Sequence, residues 1–173
     1  MRKLEAPPDV DPVGIPDLIP TRDHDLDEIM EIEGEAFDSP WQRAHFLYEL
    51  HDNPYARNYV LRSPGGRILG YVFTWELEGE LLINNIAVHR DSRRKGLGRL
   101  LISEVLGRGW RNGCRTARLD VRPSNRPAVE LYSRLGFRVI GIRKGYYGNG
   151  QEDGWVMVRA LREGAESGRK GLS

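Results

Sequence analysis

A mixed α/β fold is predicted by three features of this sequence: a meander of short apolar runs across residues 59–88, a strand–helix–strand unit from residue 81 to residue 121, and a closing pair of runs at 137–142 and 156–161. A meander implies antiparallel pairing. The strand–helix–strand unit implies a parallel neighbour, so one sheet must contain both.

Each element follows from local chemistry. Leu26, Ile29 and Met30 fall at i, i+3 and i+4 after Asp23 and predict a first helix. Ser39-Pro40-Trp41-Gln42 reads as a second helix start, with a serine cap, proline at the first helical position and glutamine at the capping-box position. Trp41, Phe46, Leu47 and Leu50 give that helix an apolar side, and Asn53-Pro54 ends it. Tyr59-Val60-Leu61 predicts a strand that turns at Pro64-Gly65-Gly66 into Ile68–Trp75. Glu78-Gly79-Glu80 turns again into Leu81–Val88, apolar apart from Asn84 and Asn85, as in a strand covered on both faces. Gly98–Trp110 is read as a helix, Arg115–Val121 as a strand, Asn125–Leu135 as a helix closed by Gly136, and Phe137–Ile142 and Val156–Leu161 as strands. The expected order is one strand, two helices, three strands, a helix, a strand, a helix and two strands.

Residues 1–17 carry prolines at 7, 8, 12 and 16 and read as a flexible tail. Residues 162–173 are glycine, serine and charge with almost nothing to bury, and read as another. The folded domain is expected at 18–161. The full 173 residues are 39% hydrophobic and 29% charged, with a net charge of +1, so the overall charge favours neither a nucleic acid nor a membrane surface. No apolar run nears the roughly 18 residues of a membrane span. Arg2 and Lys3 are followed by no apolar stretch, so a cytoplasmic protein without a secretory signal is expected. Cys114 is the single cysteine, and the four histidines show no paired spacing, so neither a disulfide nor a metal site is expected.

The chemistry-bearing segment is Arg93-Arg94-Lys95-Gly96-Leu97-Gly98-Arg99, between a strand and a helix. Glycines let backbone approach a ligand, and unpaired amides at a helix start favour an anion. Three readings compete. One is a basic, glycine-containing surface turn. Another is the dinucleotide fingerprint, which Gly96, Gly98 and the later Asp120 fit but Leu101 in the third glycine position does not. The third is the R/Q-x-x-G-x-G/A pattern of GNAT acetyltransferases. A Walker loop is excluded, since no G-x-x-x-x-G-K-[ST] occurs.

Further segments occur in the same order as in that superfamily: Asn85-Ile86-Ala87-Val88, Leu119-Asp120-Val121-Arg122, Ser124-Asn125 through Ala128, Leu131-Tyr132, Gly136-Phe137, Arg143 to Tyr147 and Glu152-Asp153, with Phe37 and Pro40-Trp41 near the front. Over residues 18–161 the chain resembles the RimI-type protein N-terminal acetyltransferases and their archaeal relatives. The resemblance implies a GNAT fold: about seven mixed, mostly antiparallel strands, splayed centrally and flanked by about four helices. Acetyl-CoA is the implied cosubstrate, with direct transfer and no metal. Ile86, Ala87 and Val88 are then expected to bond its pantetheine arm. Arg93, Arg94, Lys95, Gly96, Leu97, Gly98 and Arg99 are expected to hold its pyrophosphate, and Asn125 to reach the arm near the thiol.

RimI-type enzymes use a glutamate base and a tyrosine acid. The tyrosine position is Tyr132 and the base position is Asp120, one methylene shorter, which favours a bridging water; Glu152, Asp153 or no protein base are the alternatives. Phe37, Pro40, Trp41, Asn85, Tyr146 and Tyr147 are expected to line the acceptor site, the two tyrosines from a glycine-flanked loop. Trp75, Trp110, Trp155 and Cys114 read as structural.

The implied acceptor is a protein N-terminus, that of the eighteenth small-subunit ribosomal protein or a broader set. A lysine or small-amine acceptor, or a coenzyme-binding module without turnover, is the alternative. An α-amine with a pKa near 7.7–8.0 suits a weak or distant base better than a lysine near 10.4 does. Direct nucleic-acid binding is not expected, because no aromatic residues interleave the cations.

Overall fold

The computed structural model describes residues 14–163. Its elements are β1 (Asp17–Pro20), α1 (Leu26–Ala36), α2 (Arg43–His51), β2 (Ala56–Arg62), β3 (Ile68–Leu77), β4 (Glu80–Val88), α3 (Leu97–Arg111), β5 (Thr116–Val121), α4 (Arg126–Arg134), β6 (Arg138–Tyr147) and β7 (Glu152–Ala160). The strands form one sheet in the order β1-β2-β3-β4-β5-β7-β6. Among the described residues only β4 and β5 pair in parallel, joined by the α3 crossover. The expected order and mixed sheet are therefore present. Of the expected tails, residues 1–13 and 164–173 lie outside the described residues; Asp17, at the end of the first, already opens β1, opposite Arg62.

Two cores flank the sheet. Leu26, Ile29, Ile32 and Phe46 of α1 and α2 pack on Val60, Tyr71 and Phe73, with Phe46 edge-on to Phe73 at 5.1 Å between ring centres. On the other face, Leu97, Leu101, Val105 and Leu106 of α3 pack with Leu81, Ile83, Leu119 and Met157.

Strand β4 switches allegiance between these cores. Its pairing with β3 steps from Phe73↔Asn85 to Thr74↔Ile83, leaving Asn84 as an extra residue in a β-bulge. Leu81 and Ile83 therefore belong to the α3 core, while Ala87 belongs to the α1–α2 core. The expectation of a strand covered on both faces is met: Leu81, Ile83, Ile86 and Val88 pack with the α3 core and Ala87 with the α1–α2 core, and the alternation shifts by one at Asn84, which is exposed. Pairing between β4 and β5 ends at Ile83↔Leu119, although both strands continue. The sheet thus opens into a cleft at its centre.

Other sequence expectations shift. Ser39 does not cap α2; the helix starts after Gln42, whose backbone N–H donates to His45 Nδ1 at 3.1 Å while its carbonyl accepts from the His45 N–H at 2.9 Å. The displaced start follows from Trp41, whose N–H donates to Glu33 Oε1 at 2.7 Å and holds residues 39–41 outside the helix. Strand β6 extends to Tyr147, and β7 begins at Glu152, so Tyr146 and Tyr147 lie on a strand and not in a loop. The glycines that suggested a loop are accommodated by a register irregularity between Arg143 and Tyr147, with Gly145 at φ +59°.

Gly70 on β3 has no room for a side chain between β4 and α3. A Cβ there meets Ala87 O at 2.8 Å and Leu101 Cδ1 at 3.0 Å, and the backbone atom cannot yield. Gly70→Ala is expected to lower unfolding stability by roughly 1–3 kcal/mol in urea titrations. Gly34→Ala, on α1 with no atom within 4 Å of the added carbon, is expected to raise it by about 0.5–1 kcal/mol.

Candidate active site

A cavity of about 540 Å³ occupies the cleft between β4 and β5. Its walls come from four places: Glu33, Phe37 and Trp41 from α1 and the segment after it; Asn85 and Ile86 from β4; Asp120 and Arg122 from β5 and its end, with Asn125 and Tyr132 of α4; and Tyr146 and Tyr147 from β6. The sheet's topology brings these distant segments together.

Tyr132 and Asp120 share this cavity. Tyr132 is buried and meets Phe137 edge-on at 6.0 Å between ring centres. Burial, with Tyr147 nearby, pushes its phenol up to about 12, so it carries its proton throughout the neutral range. Asp120 Oδ2 lies 3.5 Å from Arg143 Nε, and Oδ1 is buried with no hydrogen-bond partner among the described residues. A buried carboxylate oxygen without a donor is a costly arrangement, and one suited to accepting a proton-bearing group from a ligand or water.

Glu152 and Asp153, left open as bases by the sequence, are committed elsewhere. Glu152 accepts the Ser124 N–H at 2.9 Å and pairs with Arg122 at 3.6 Å; the Ser124 hydrogen bond, chiefly, lowers its pKa. Asp153 accepts from Lys144 Nζ at 2.8 Å and Gly145 N–H at 2.9 Å, and Lys144, chiefly, lowers its pKa. Neither lines the cavity.

The two tyrosines are held by cations. Arg122 lies 4.6 Å over the Tyr147 ring and Arg143 lies 5.1 Å over Tyr146, while the rings meet edge-on at 4.9 Å. Burial, then Asp120 and Tyr146, push the Tyr147 phenol up to about 12. Asn125 caps α4, its Oδ1 accepting from Ala128 N–H at 3.3 Å, which leaves its amide group for other partners. Pro40 does not line the cavity.

A buried network missed by sequence reasoning ties these walls together. Glu33 Oε1 accepts from Trp41 N–H, and Oε2 accepts from Asn85 Nδ2 at 3.0 Å and from the Tyr71 hydroxyl. Burial, then the Glu33 charge, drives the Tyr71 phenol far above its ordinary range. One carboxylate thus fixes α1, β3, β4 and the segment carrying Trp41. A signal was present: Glu33 stands seven residues after Leu26, on the helix stripe that must face the core.

The glycine turn lies past the end of β4, outside the cavity lining. Gly96 takes φ +78° and Arg94 φ +62°. The first bond of α3 runs from Leu100 N–H to Gly96 O, so the amides of Leu97, Gly98 and Arg99 precede it and are free of intrahelical partners. Leu97 sends its side chain into the core. Gly98 lets α3 start close to α4: a Cβ there lies 3.4 Å from Leu131 Cδ2. Arg93 turns back, its Nε donating to Val88 O at 3.0 Å. His89 N–H donates to Leu69 O, so by the alternation of an antiparallel ladder Ile86 and Val88 turn their backbone groups away from β3, into the cleft, and Ala87 turns its own toward Tyr71. The pantetheine expectation therefore narrows to Ile86 and Val88. These unpaired amides, followed by a cleft edged with free strand backbone, fit a long ligand that is anionic at one end and amide-bearing along its arm.

Cys114 is buried, and burial, chiefly, pushes its thiol up, as suits a packing residue and not a nucleophile. Trp75 is anchored by Nε1 donating to Glu49 Oε2 at 2.7 Å.

The pattern of the acetyltransferase (GNAT) family matches residues 26–137. A Bacillus subtilis relative is 36% identical over 139 residues, 80% of this chain and 91% of its own. The N-alpha-acetyltransferase RimI of Mycobacterium tuberculosis is 34% identical over 157 residues, 87% of this chain and 94% of its own. Among solved structures, the ribosomal-protein-S18-alanine N-acetyltransferase of Escherichia coli superposes with a TM-score of 0.78 at 30% identity, covering 85% of this chain and 94% of that one.

Removing the Glu33 carboxylate orphans three donors. Glu33→Ala is expected to cost roughly 2–4 kcal/mol of stability in chemical denaturation, and Glu33→Gln, which keeps one acceptor oxygen, less than half of that.

Proposed function

Because the chain belongs to the GNAT acetyltransferase family, we propose that it is a protein N-alpha-acetyltransferase that transfers acetyl from acetyl-CoA to the N-terminal alanine of ribosomal protein bS18. Two observations support this acceptor: the names of the relatives, and a cleft floored by Asp120 and Tyr132 and edged by aromatic side chains able to hold a peptide end. The pairing of an unpartnered carboxylate oxygen with a buried, protonated phenol carries the chemical reading.

Acetyl-CoA supplies the acetyl group as an activated thioester. The amides of Leu97, Gly98 and Arg99 receive the diphosphate at the positive end of α3, with Gly96 leaving room for it and Arg94 and Lys95 adding charge. Ile86 and the Val88 N–H bond the arm along the free edge of β4, and the Asn125 amide group meets it near the sulfur. Phe37, Trp41, Asn85, Tyr146 and Tyr147 hold the first residues of the acceptor, with Pro40 stiffening the segment behind them. Asp120 Oδ1 takes the proton of the acceptor amine through a water, since aspartate is a methylene short of the family glutamate. Tyr132 donates its hydroxyl hydrogen to the departing sulfur. A phenol pushed up to about 12 is a weaker acid than an ordinary thiol near 8.5, so the stabilisation comes from a hydrogen bond to developing charge; the amine's proton balances the thiolate at the end of turnover. A ribosomal acceptor places the reaction in the cytoplasm.

Intact-mass measurement of acetyl transfer to a bS18 N-terminal peptide tests the proposal. Transfer is expected to the free N-terminus and to vanish when that amine is blocked; modification of the blocked peptide at lysine would sink the N-alpha reading. Tyr132→Phe is expected to lower kcat by about 10²–10⁴ while coenzyme affinity is kept. The pH profile of kcat/KM is expected to rise as the α-amine loses its proton near 7.7–8.0. It should show no falling limb from Tyr132 below about pH 10, because that phenol is still protonated there.

A further inference from the structure

Asp120 presents its two oxygens unequally. Oδ1 is buried with no hydrogen-bond partner among the described residues, while Oδ2 lies 3.5 Å from Arg143 Nε. Among the described residues Arg143 is the one cation within ion-pair distance of this carboxylate. The contact spans a whole strand. Arg143, on β6, is opposite Gly154 on β7, and Asp120, on β5, is opposite Val156, two residues further along β7. Residues two apart on a strand share a face, so both side chains rise from one face of the sheet with β7 between them. Neighbouring strands lie about 4.8 Å apart, and the arginine must lie across β7 to reach its partner. Gly154 leaves room above that strand: a Cβ on it meets Tyr146 Cδ1 and Tyr147 Cε2, each at 3.2 Å.

The guanidinium is held in that crossing. It lies 5.1 Å over the Tyr146 ring, which meets Tyr147 edge-on; Arg122 covers Tyr147, and Glu152 ties Arg122 to the Ser124 N–H. Arg143 itself does not line the cavity, whereas Asp120, Tyr146 and Tyr147 do. It therefore stands behind the carboxylate and not against a bound acceptor. A carboxylate turns readily about its last torsion, which would exchange the two oxygens. A cation fixed on one of them removes that equivalence and aims the other into the cleft. We propose that Arg143 is a positioning residue: by holding Oδ2 it presents Oδ1 of Asp120 to the water and amine of the acetyl-transfer step. The inference rests on the acetyltransferase reading above, with Asp120 as base. It adds to that reading the means by which a side chain one methylene short is kept in a single orientation.

Steady-state kinetics of the full chain with acetyl-CoA and a bS18 N-terminal peptide test it. Arg143→Gln is expected to lower kcat by about 10–100-fold, the scale of a misplacement of about 1 Å, while KM for the peptide and the calorimetric affinity for acetyl-CoA stay within about twofold. Arg143→Lys, whose ammonium sits one atom beyond the place of Nε, is expected to recover most of that loss. In an Asp120→Asn background, Arg143→Gln is expected to cost nothing further, because its effect passes through the carboxylate. An equal loss in both backgrounds, a raised peptide KM at unchanged kcat, or a fall in acetyl-CoA affinity would place the action of Arg143 on the acceptor or the fold and overturn the inference. Unaltered kinetics in Arg143→Gln would overturn it as well. Full kcat in Asp120→Asn alone would remove the base and this inference together. No transfer by the unaltered protein would instead overturn the acetyltransferase reading itself.

Discussion

The extra residue at Asn84 is the constraint on which the site depends. A strand can pair fully with two neighbours only while its register suits both. At Asn84 the register with β3 shifts by one, and one residue earlier the ladder to β5 has ended. Beyond that point β4 keeps β3 and loses β5, while β5 keeps β7 through Val121↔Trp155. Free backbone in the middle of a sheet is unfavourable unless water or a ligand satisfies it. The fold therefore holds open a cleft edged with hydrogen-bonding groups, and the helix that follows β4 delivers its unpaired amides to one end of it.

What surrounds the cleft is held by charge as well as by packing. Glu33 is nearly inaccessible, yet each of its oxygens is satisfied, so the carboxylate acts as a fixed junction between α1, β3 and β4. Asp120 is the counterexample. It lies at the end of β5 with one oxygen unsatisfied and the other at long range from Arg143. Two acidic residues lining one cavity thus have opposite duties, the first structural and the second available for chemistry, and the difference is read from their donors and not from their burial.

Much of this was legible in the order of residues. The element order, the glycine turn, the helix beginning at Asn125 and the placement of Tyr132 and Asp120 on one cleft all depend on local patterns or on segment order, both of which a linear reading preserves. What was misread depends on contacts across the chain. The helix start at Ser39 fails because Trp41 N–H is taken by Glu33, eight residues back. Tyr146 and Tyr147 join a strand because Tyr147 lies opposite Glu152, despite the glycines beside them. The bulge left no more mark than a polar residue inside an apolar run. Glu33 was visible only as a charge on an apolar stripe, and nothing local says that Tyr71 and Asn85 meet it there.

The bulge also bears on how the length of this chain can vary. Insertions near Pro64–Gly66 change only an exposed hairpin tip and leave every pairing intact. Loss of a single residue near Asn84 is different in kind: it would make the pairing of β4 with β3 regular, leaving Ala87 opposite Tyr71, and would remove the irregularity at which β4 parts from β5. Lineages descending from such a sequence are free to lengthen or shorten their hairpins, but in β4 they must keep an odd residue that no packing argument would have asked for.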